Sequence, residues 1–152
     1  MRWLGYCALG ALLTFGSEAH AVDYRFSSVT DDAVVVIDRD TIQRLPNGRT
    51  RLEVWLVNKP PLRMGRAVSA ELWEIGCADF AYRPLSGKIV SADGDSLADV
   101  GPGDYRYIKK GTVAESVGFD VCDVERGSRA PAINAFDLRT LISFSLDQYG
   151  KR

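Results

Sequence analysis

The sequence predicts an α+β fold, in which an antiparallel sheet of about five to six strands carries one helix tethered by a disulfide, plus a C-terminal extension. Three observations indicate this fold. Alternating apolar and polar residues dominate the chain before Gly111, a helical spacing of apolar residues follows, and one cysteine lies on each side of the change. Strands followed by a helix are typical of α+β domains.

The N-terminus predicts a secretory signal peptide over residues 1–21. A positively charged head precedes an apolar run at residues 4–15, and the small residues Ala19 and Ala21 frame a cleavage site before Val22. The apolar run is shorter than the roughly 20 residues that a helix needs to span a bilayer. We therefore expect an exported mature chain with no transmembrane segment, in the periplasm or at the outer cell surface.

Removal of the signal peptide changes which chemistry the chain can perform. The single histidine, His20, and one cysteine, Cys7, leave with it, so a histidine-dependent triad or histidine metal site is excluded. Two cysteines remain, Cys77 and Cys122, and an even number in a small exported chain predicts a disulfide. The net charge is −1, which gives no electrostatic footprint for nucleic acid or an anionic membrane.

The first two strands are predicted from composition and alternation. Residues 33–37 are a β-branched run, and the Pro46-Asn-Gly48 triplet is a hairpin turn signal. Residues 50–58 alternate between two faces, and two prolines then end the strand. One face of this strand is expected to carry Leu52, Val54 and Leu56, and the other Arg51, Glu53, Trp55 and Val57. Trp55 is assigned to the core.

Two further strands are expected at about 67–77 and 80–90. The first places Trp73, Ile75 and Cys77 on one face, and the second returns antiparallel with interruptions at a proline and a glycine. Residues 91–104 are rich in aspartate and glycine and are predicted to be a loop. Residues 105–108 add a short strand.

A helix is expected to end at Cys122. Thr112 and Glu115 form a capping box, and valines follow at helical spacing. Valine and glycine are poor helix formers, so this helix should depend on docking to the sheet. A Cys77–Cys122 disulfide would fix the helix to the sheet. Closing the loop of 45 residues between the cysteines stabilises the folded state by roughly 4 kcal/mol. In the extension at 123–152, residues 135–149 fit both a helix and a strand, and a helix is favoured.

In this order, the elements resemble the surface-adhesin protein E-like family of Gram-negative bacteria. The segments that carry the resemblance are Val36-Ile37-Asp38 with Thr41-Ile42, Leu52-Glu-Val-Trp-Leu56, Trp73-Glu-Ile-Gly-Cys77, Tyr82 and Cys122. The resemblance covers about residues 24–122, and residues 22–122 are therefore taken as one domain. It implies an antiparallel sheet with a disulfide-linked helix, and binding of host matrix or plasma proteins. Tyr24 replaces a tryptophan common in the family, and residues 123–152 have no counterpart there.

Three groups of side chains are candidate sites. A calcium loop would draw on Asp93, Asp95, Asp99 and Asp104, but Leu97 and Ala98 occupy positions that need a ligand and a glycine, so a solvated turn is favoured. Asp38 and Asp40 could pair for acid–base catalysis, although a cap at the strand end is favoured. Tyr105, Arg106 and Tyr107 are the candidate protein contacts, because tyrosine and arginine are enriched in interface hot spots.

The sequence therefore favours an exported, non-enzymatic protein-binding protein without a cofactor. The expected partner is a protein rather than nucleic acid, and its identity and the oligomeric state stay open. One alternative is a periplasmic structural or interaction protein with no host ligand. The other is a secreted enzyme of unrecognised type.

Overall fold

A computed structural model describes residues 22–60, 65–133, 135 and 137–151. The predicted signal peptide, with Ala19 and Ala21, lies outside the described residues, and Val22 is the first residue described. Within the described part of the chain, no helix is both long enough and apolar enough to span a membrane.

The fold is a mostly antiparallel sheet with a few helices, as the α+β prediction required. The strands are β1 Tyr24–Val29, β2 Ala33–Arg44, β3 Arg49–Asn58, β4 Val68–Gly76, β5 Ala81–Val90, β6 Ser96–Val100, β7 Arg106–Tyr107 and β8 Ala132–Ile133. The helices are α1 Val113–Cys122, α2 Val124–Arg129 and α3 Leu138–Tyr149. The sheet order is β6-β5-β4-β3-β2-β1-β8, and β7 pairs separately with β5.

The described sheet has eight strands, so the expected five to six was too few. The predicted loop at 91–104 contains β6, an edge strand whose residues are mostly exposed on both faces. Without a buried face it lacks the alternation that marks a strand in the sequence. β8 has only two residues, and β2 continues past Asp38 to Arg44 through an irregular register between Asp38 and Gln43.

Each face of the sheet has its own apolar core. The face that packs against α1, here the α1 face, carries Leu52 and Val54 of β3. The opposite face, here the α3 face, carries Trp55 and Val57. The predicted split of β3 is therefore confirmed, and Trp55 is half-buried there in a T-shaped contact with Tyr24, at 5.8 Å between ring centroids.

Helix α1 is held at both ends by the predicted residues, although Glu115 accepts the Gly111 N–H rather than the Thr112 N–H of a capping box. Thr112 Oγ1 accepts the Glu115 N–H at 3.3 Å, and the Glu115 carboxylate accepts the Gly111 N–H at 2.8 Å. At the other end the Cys77–Cys122 disulfide is formed, with 5.5 Å between the two Cα atoms. Arg44 adds a hydrogen bond of 2.9 Å to the Val121 carbonyl, which satisfies a group that the helix end leaves free.

The described residues after Cys122 are packed into the same fold. Ile133 of β8 pairs with Tyr24 of β1, and Leu141 of α3 is fully buried on the α3 face. Phe26 stacks on Tyr149 at 4.2 Å between ring centroids. The helix predicted over 135–149 is confirmed as α3, and it covers one end of the sheet from the side opposite α1.

Candidate binding site beside helix α1

The predicted contact residues Tyr105, Arg106 and Tyr107 form an exposed shelf, the β7 ledge. β7 pairs with the first residues of β5, Ala81 opposite Tyr107 and Tyr82 opposite Arg106. Tyr107 is 78% exposed, the highest exposure among the large apolar side chains that the structure describes as exposed. The ledge therefore presents an aromatic ring and a guanidinium to solvent from a strand-paired backbone.

Tyr105 anchors the ledge to the α3 face. Its hydroxyl donates a short hydrogen bond to Glu74, and its ring lies between two guanidinium groups. The Arg49 and Arg83 Cζ atoms are 4.2 Å and 4.4 Å from the ring centroid. Burial, followed by the bond to Glu74, raises the pKa of the Tyr105 hydroxyl, which keeps it a neutral donor.

Glu74 is the centre of this anchor. It is 3% exposed and faces Arg51 and Arg83 across the neighbouring strands, at 3.8 Å and 3.1 Å. The hydrogen bond from Tyr105 and then the charge of Arg83 lower the pKa of Glu74, although burial acts the other way. The carboxylate therefore stays charged and holds Tyr105 in place.

On the other side of the ledge lies a cleft of about 380 Å³, the β7 cleft, between the α1 face and the first turn of α1. Its lining residues are Leu56, Trp73, Tyr82, Arg106, Tyr107, Lys109, Thr112, Val113 and Ala114. Trp73 and Tyr82 form the floor, with 4.7 Å between ring centroids. The Trp73 indole N–H donates to Glu71 at 2.9 Å, which fixes the ring orientation.

The lining of the β7 cleft carries two positive charges. Arg106 and Lys109 line it, whereas none of its described lining residues is an aspartate or a glutamate. Neither cation forms an ion pair with another described residue. In the first turn of α1, Thr112 accepts the Glu115 N–H and the Glu115 carboxylate accepts the Gly111 N–H.

Two other concave surfaces lack this combination. A smaller cleft of about 220 Å³ lies on the Tyr105 side of the ledge, and its Arg49 already pairs with Asp79 at 2.7 Å. A groove of about 410 Å³ follows α3, with all of its lining residues on that one helix and with Arg139 and Asp147 of opposite charge. The smaller cleft shares Arg106 and Tyr107 with the β7 cleft, and of these three surfaces only the β7 cleft adds a second unpaired cation, Lys109, beside the Trp73 and Tyr82 rings.

The four candidate calcium ligands do not converge. Asp93 lies in the turn after β5, 3.6 Å from Arg139, and Asp95 lies at the end of the same turn. Asp99 is in β6 opposite Lys88, and Asp104 precedes β7. Within the described residues, no group of three or more acidic, histidine or cysteine side chains could hold a metal ion.

Asp38 and Asp40 are occupied by backbone contacts. Asp38 accepts the Asp40 N–H at 3.0 Å, and Asp40 accepts the Asp23 N–H at 2.9 Å. Burial raises the pKa of Asp38, and burial together with the Asp38 charge raises the pKa of Tyr24 to about 12. The cap expected at a strand end is therefore wrong, because β2 continues to Arg44 and these bonds lie where its register becomes irregular, between Asp38 and Gln43.

The sequence located the ledge but not the residues around it. Glu74 and Arg83 are neighbours only through the strand register, and Trp73 and Lys109 line one cleft although they are far apart in sequence. Comparisons with known proteins found no match for the chain among protein-family models, curated proteins or solved structures. The resemblance to the surface-adhesin family therefore stays a prediction.

Proposed function

We propose that the protein is an exported, non-enzymatic protein-binding module, similar to surface adhesins, that contacts a host or extracellular-matrix protein through the β7 ledge. The observation that carries this proposal is the ledge itself. Tyr107 and Arg106 are exposed on a strand that pairs with β5, while the preceding Tyr105 is held by Glu74 and two guanidinium groups.

A fixed and exposed pair of this kind suits protein recognition. Tyrosine and arginine are enriched among residues that dominate binding energy. A preorganised base lowers the entropy lost when the partner docks. The predicted export signal at residues 1–21 and the Cys77–Cys122 disulfide support an oxidising compartment outside the cytoplasm.

Export to the cell surface is tested by protease shaving of intact cells that carry an epitope tag at the C-terminus. A periplasmic protein serves as the leakage control. Loss of the tag with the control intact is the expected result. Protection of the tag until the outer membrane is opened would contradict the adhesin function and favour a periplasmic interaction protein.

Binding is tested with the purified protein on immobilised matrix and plasma proteins. Tyr107→Ala should weaken saturable binding by about tenfold or more, the effect of losing a hot-spot residue. Leu97→Ala is the matched control, because Leu97 is also an exposed apolar residue, at 45%, but lies on β6 away from the ledge. Equal binding by both variants would reject the ledge as the contact surface.

A further inference from the structure

We infer that the β7 cleft binds an acidic–aromatic peptide segment of the partner protein. An aromatic side chain of that segment would lie on Trp73 and Tyr82, and an adjacent carboxylate would pair with Arg106 and Lys109. This inference rests on the proposed protein-binding function and assigns the ligand chemistry of its site.

The shape and lining of the cleft fit one side chain of a peptide. Its volume of about 380 Å³ lies at the lower end of the range of small ligand sites, which is roughly 300–1,000 Å³. The floor is aromatic, and its geometry is set before any ligand arrives. Glu71 holds the Trp73 indole at 2.9 Å and accepts the Ser69 hydroxyl at 2.7 Å, so both of its carboxylate oxygens are engaged.

The charge of the cleft selects an anion over a cation. Arg106 and Lys109 line it without a described carboxylate partner, and the planar guanidinium of arginine matches a carboxylate in two parallel hydrogen bonds. Arg49 on the Tyr105 side of the ledge shows the contrast, because Asp79 already neutralises it at 2.7 Å. A peptide carboxylate would play the part in the β7 cleft that Asp79 plays in the smaller cleft.

Two cations suit a side-chain carboxylate better than a nucleic acid. Binding to a phosphate backbone needs a track of several basic residues, and the chain has a net charge of −1. Tyr107 at the mouth of the cleft provides an additional ring for a peptide that carries an aromatic residue.

The test is fluorescence polarisation of labelled hexapeptides with the purified disulfide-bonded protein. The first probe has one phenylalanine flanked by two glutamates. The second replaces the glutamates with lysines, and the third replaces the phenylalanine with alanine. Saturable binding of the first probe, at least about tenfold tighter than of either control, is the expected result.

Charge-reversal variants then test whether the peptide binds in the β7 cleft. Arg106→Glu and Lys109→Glu should each weaken binding of the first probe by roughly tenfold, because the carboxylate meets a like charge. Lys110→Glu, an exposed neighbour that does not line the cleft, should change binding less than about twofold. All three side chains are exposed, so a matching circular-dichroism spectrum and melting temperature are expected and must be recorded.

Equal binding of the lysine peptide, or unchanged binding by Arg106→Glu, would overturn the inference. The protein-capture experiment separates this failure from failure of the proposed function. Capture that depends on Tyr107, without preference among the peptides, would reject only the acidic–aromatic ligand. Peptide preference without capture of any matrix or plasma protein would reject the adhesin-like function and leave the ligand chemistry standing.

Discussion

The two faces of the sheet are covered by helices that are held in different ways. Helix α1 is linked to the end of β4 by the Cys77–Cys122 disulfide. Helix α3 has no such link and is held by buried contacts, with Leu141 fully buried and Tyr149 stacked on Phe26. The difference shows how a short, valine-rich helix can border an open cleft. Its last residue is covalently fixed, so its first turn need not be buried on every side.

The largest loss of stability is expected when the disulfide between α1 and the end of β4 is removed. Cys122→Ser should lower the free energy of unfolding by roughly 4 kcal/mol under oxidising conditions, because the 45-residue loop between the cysteines is no longer closed. Urea denaturation measures the change. Reduction of the wild-type protein should reproduce most of this loss, and reduction of the variant should add nothing. An unchanged midpoint in the variant would show that docking alone holds α1.

The matching change on the α3 face removes apolar packing. Leu141→Ala should lower the free energy of unfolding by about 3 kcal/mol, because Leu141 is fully buried between α3 and the sheet. Unlike the first effect, this loss should be the same with and without a reducing agent. Leu97→Ala, at an exposed position, should stay within about 0.5 kcal/mol of wild type in the same denaturation series. A loss as small for Leu141→Ala would mean that α3 contributes little to the fold.

The same comparison explains what the sequence could predict. The α1 face was predictable because local patterns mark it: alternation in β3, a capping box at Thr112 and a cysteine on each partner element. The helix on the α3 face was favoured, but its position was not predicted, since Leu141 meets the sheet only in the tertiary structure. β6 and β8 were missed because an exposed edge strand and a two-residue strand carry no apolar period.

The candidate site was also predictable from the sequence only in part. The Tyr105, Arg106 and Tyr107 run could be identified from residue type alone. Its anchor could not, because Glu74, Arg49 and Arg83 lie on three different strands and meet Tyr105 only through the register of the sheet. The cleft also depends on long-range packing, since its floor and its wall are far apart in sequence.

A smaller loss of stability is expected when Glu74, which holds Tyr105 on the α3 face, is replaced. Glu74→Gln should lower the free energy of unfolding by about 1–2 kcal/mol at pH 7, because Arg51 and Arg83 lose their charged partner. More than a third of each arginine side chain is exposed, so solvent screening limits the loss. Urea denaturation at pH 7 measures it, and a variant as stable as wild type would show that the anchor is not stabilising.

The stability that Glu74 contributes should decrease at low pH. The pKa of Glu74 lies below its ordinary value of 4.5 in the folded protein, so its contribution is present above pH 4.5 and is lost as the pH falls through the folded value. Burial raises the pKa of Asp38 and Asp120, which act in the opposite direction. The contribution of Glu74 is therefore isolated as the difference in unfolding free energy between wild type and Glu74→Gln. That difference should shrink below pH 4.5, and a constant difference would contradict the assigned pKa.

The smallest effect on stability is expected on the ledge. Tyr107→Ala should change the free energy of unfolding by less than about 0.5 kcal/mol, because its side chain is 78% exposed. Thermal melting beside the wild-type protein measures this change. A large loss would mean that Tyr107 supports the fold, and weakened binding by this variant could then not be assigned to direct contact.

The central claim is that the protein binds its partner through the β7 ledge and not through α3. The test replaces either Tyr107 or Gln148, an exposed position of α3, with a photo-crosslinking amino acid. Cells that export each variant are incubated with the matrix or plasma protein that the purified protein binds. We expect an adduct with that protein from position 107, lost when Arg106→Glu is added, and none from position 148. An adduct from position 148 alone, or equal adducts from both positions, would contradict the account.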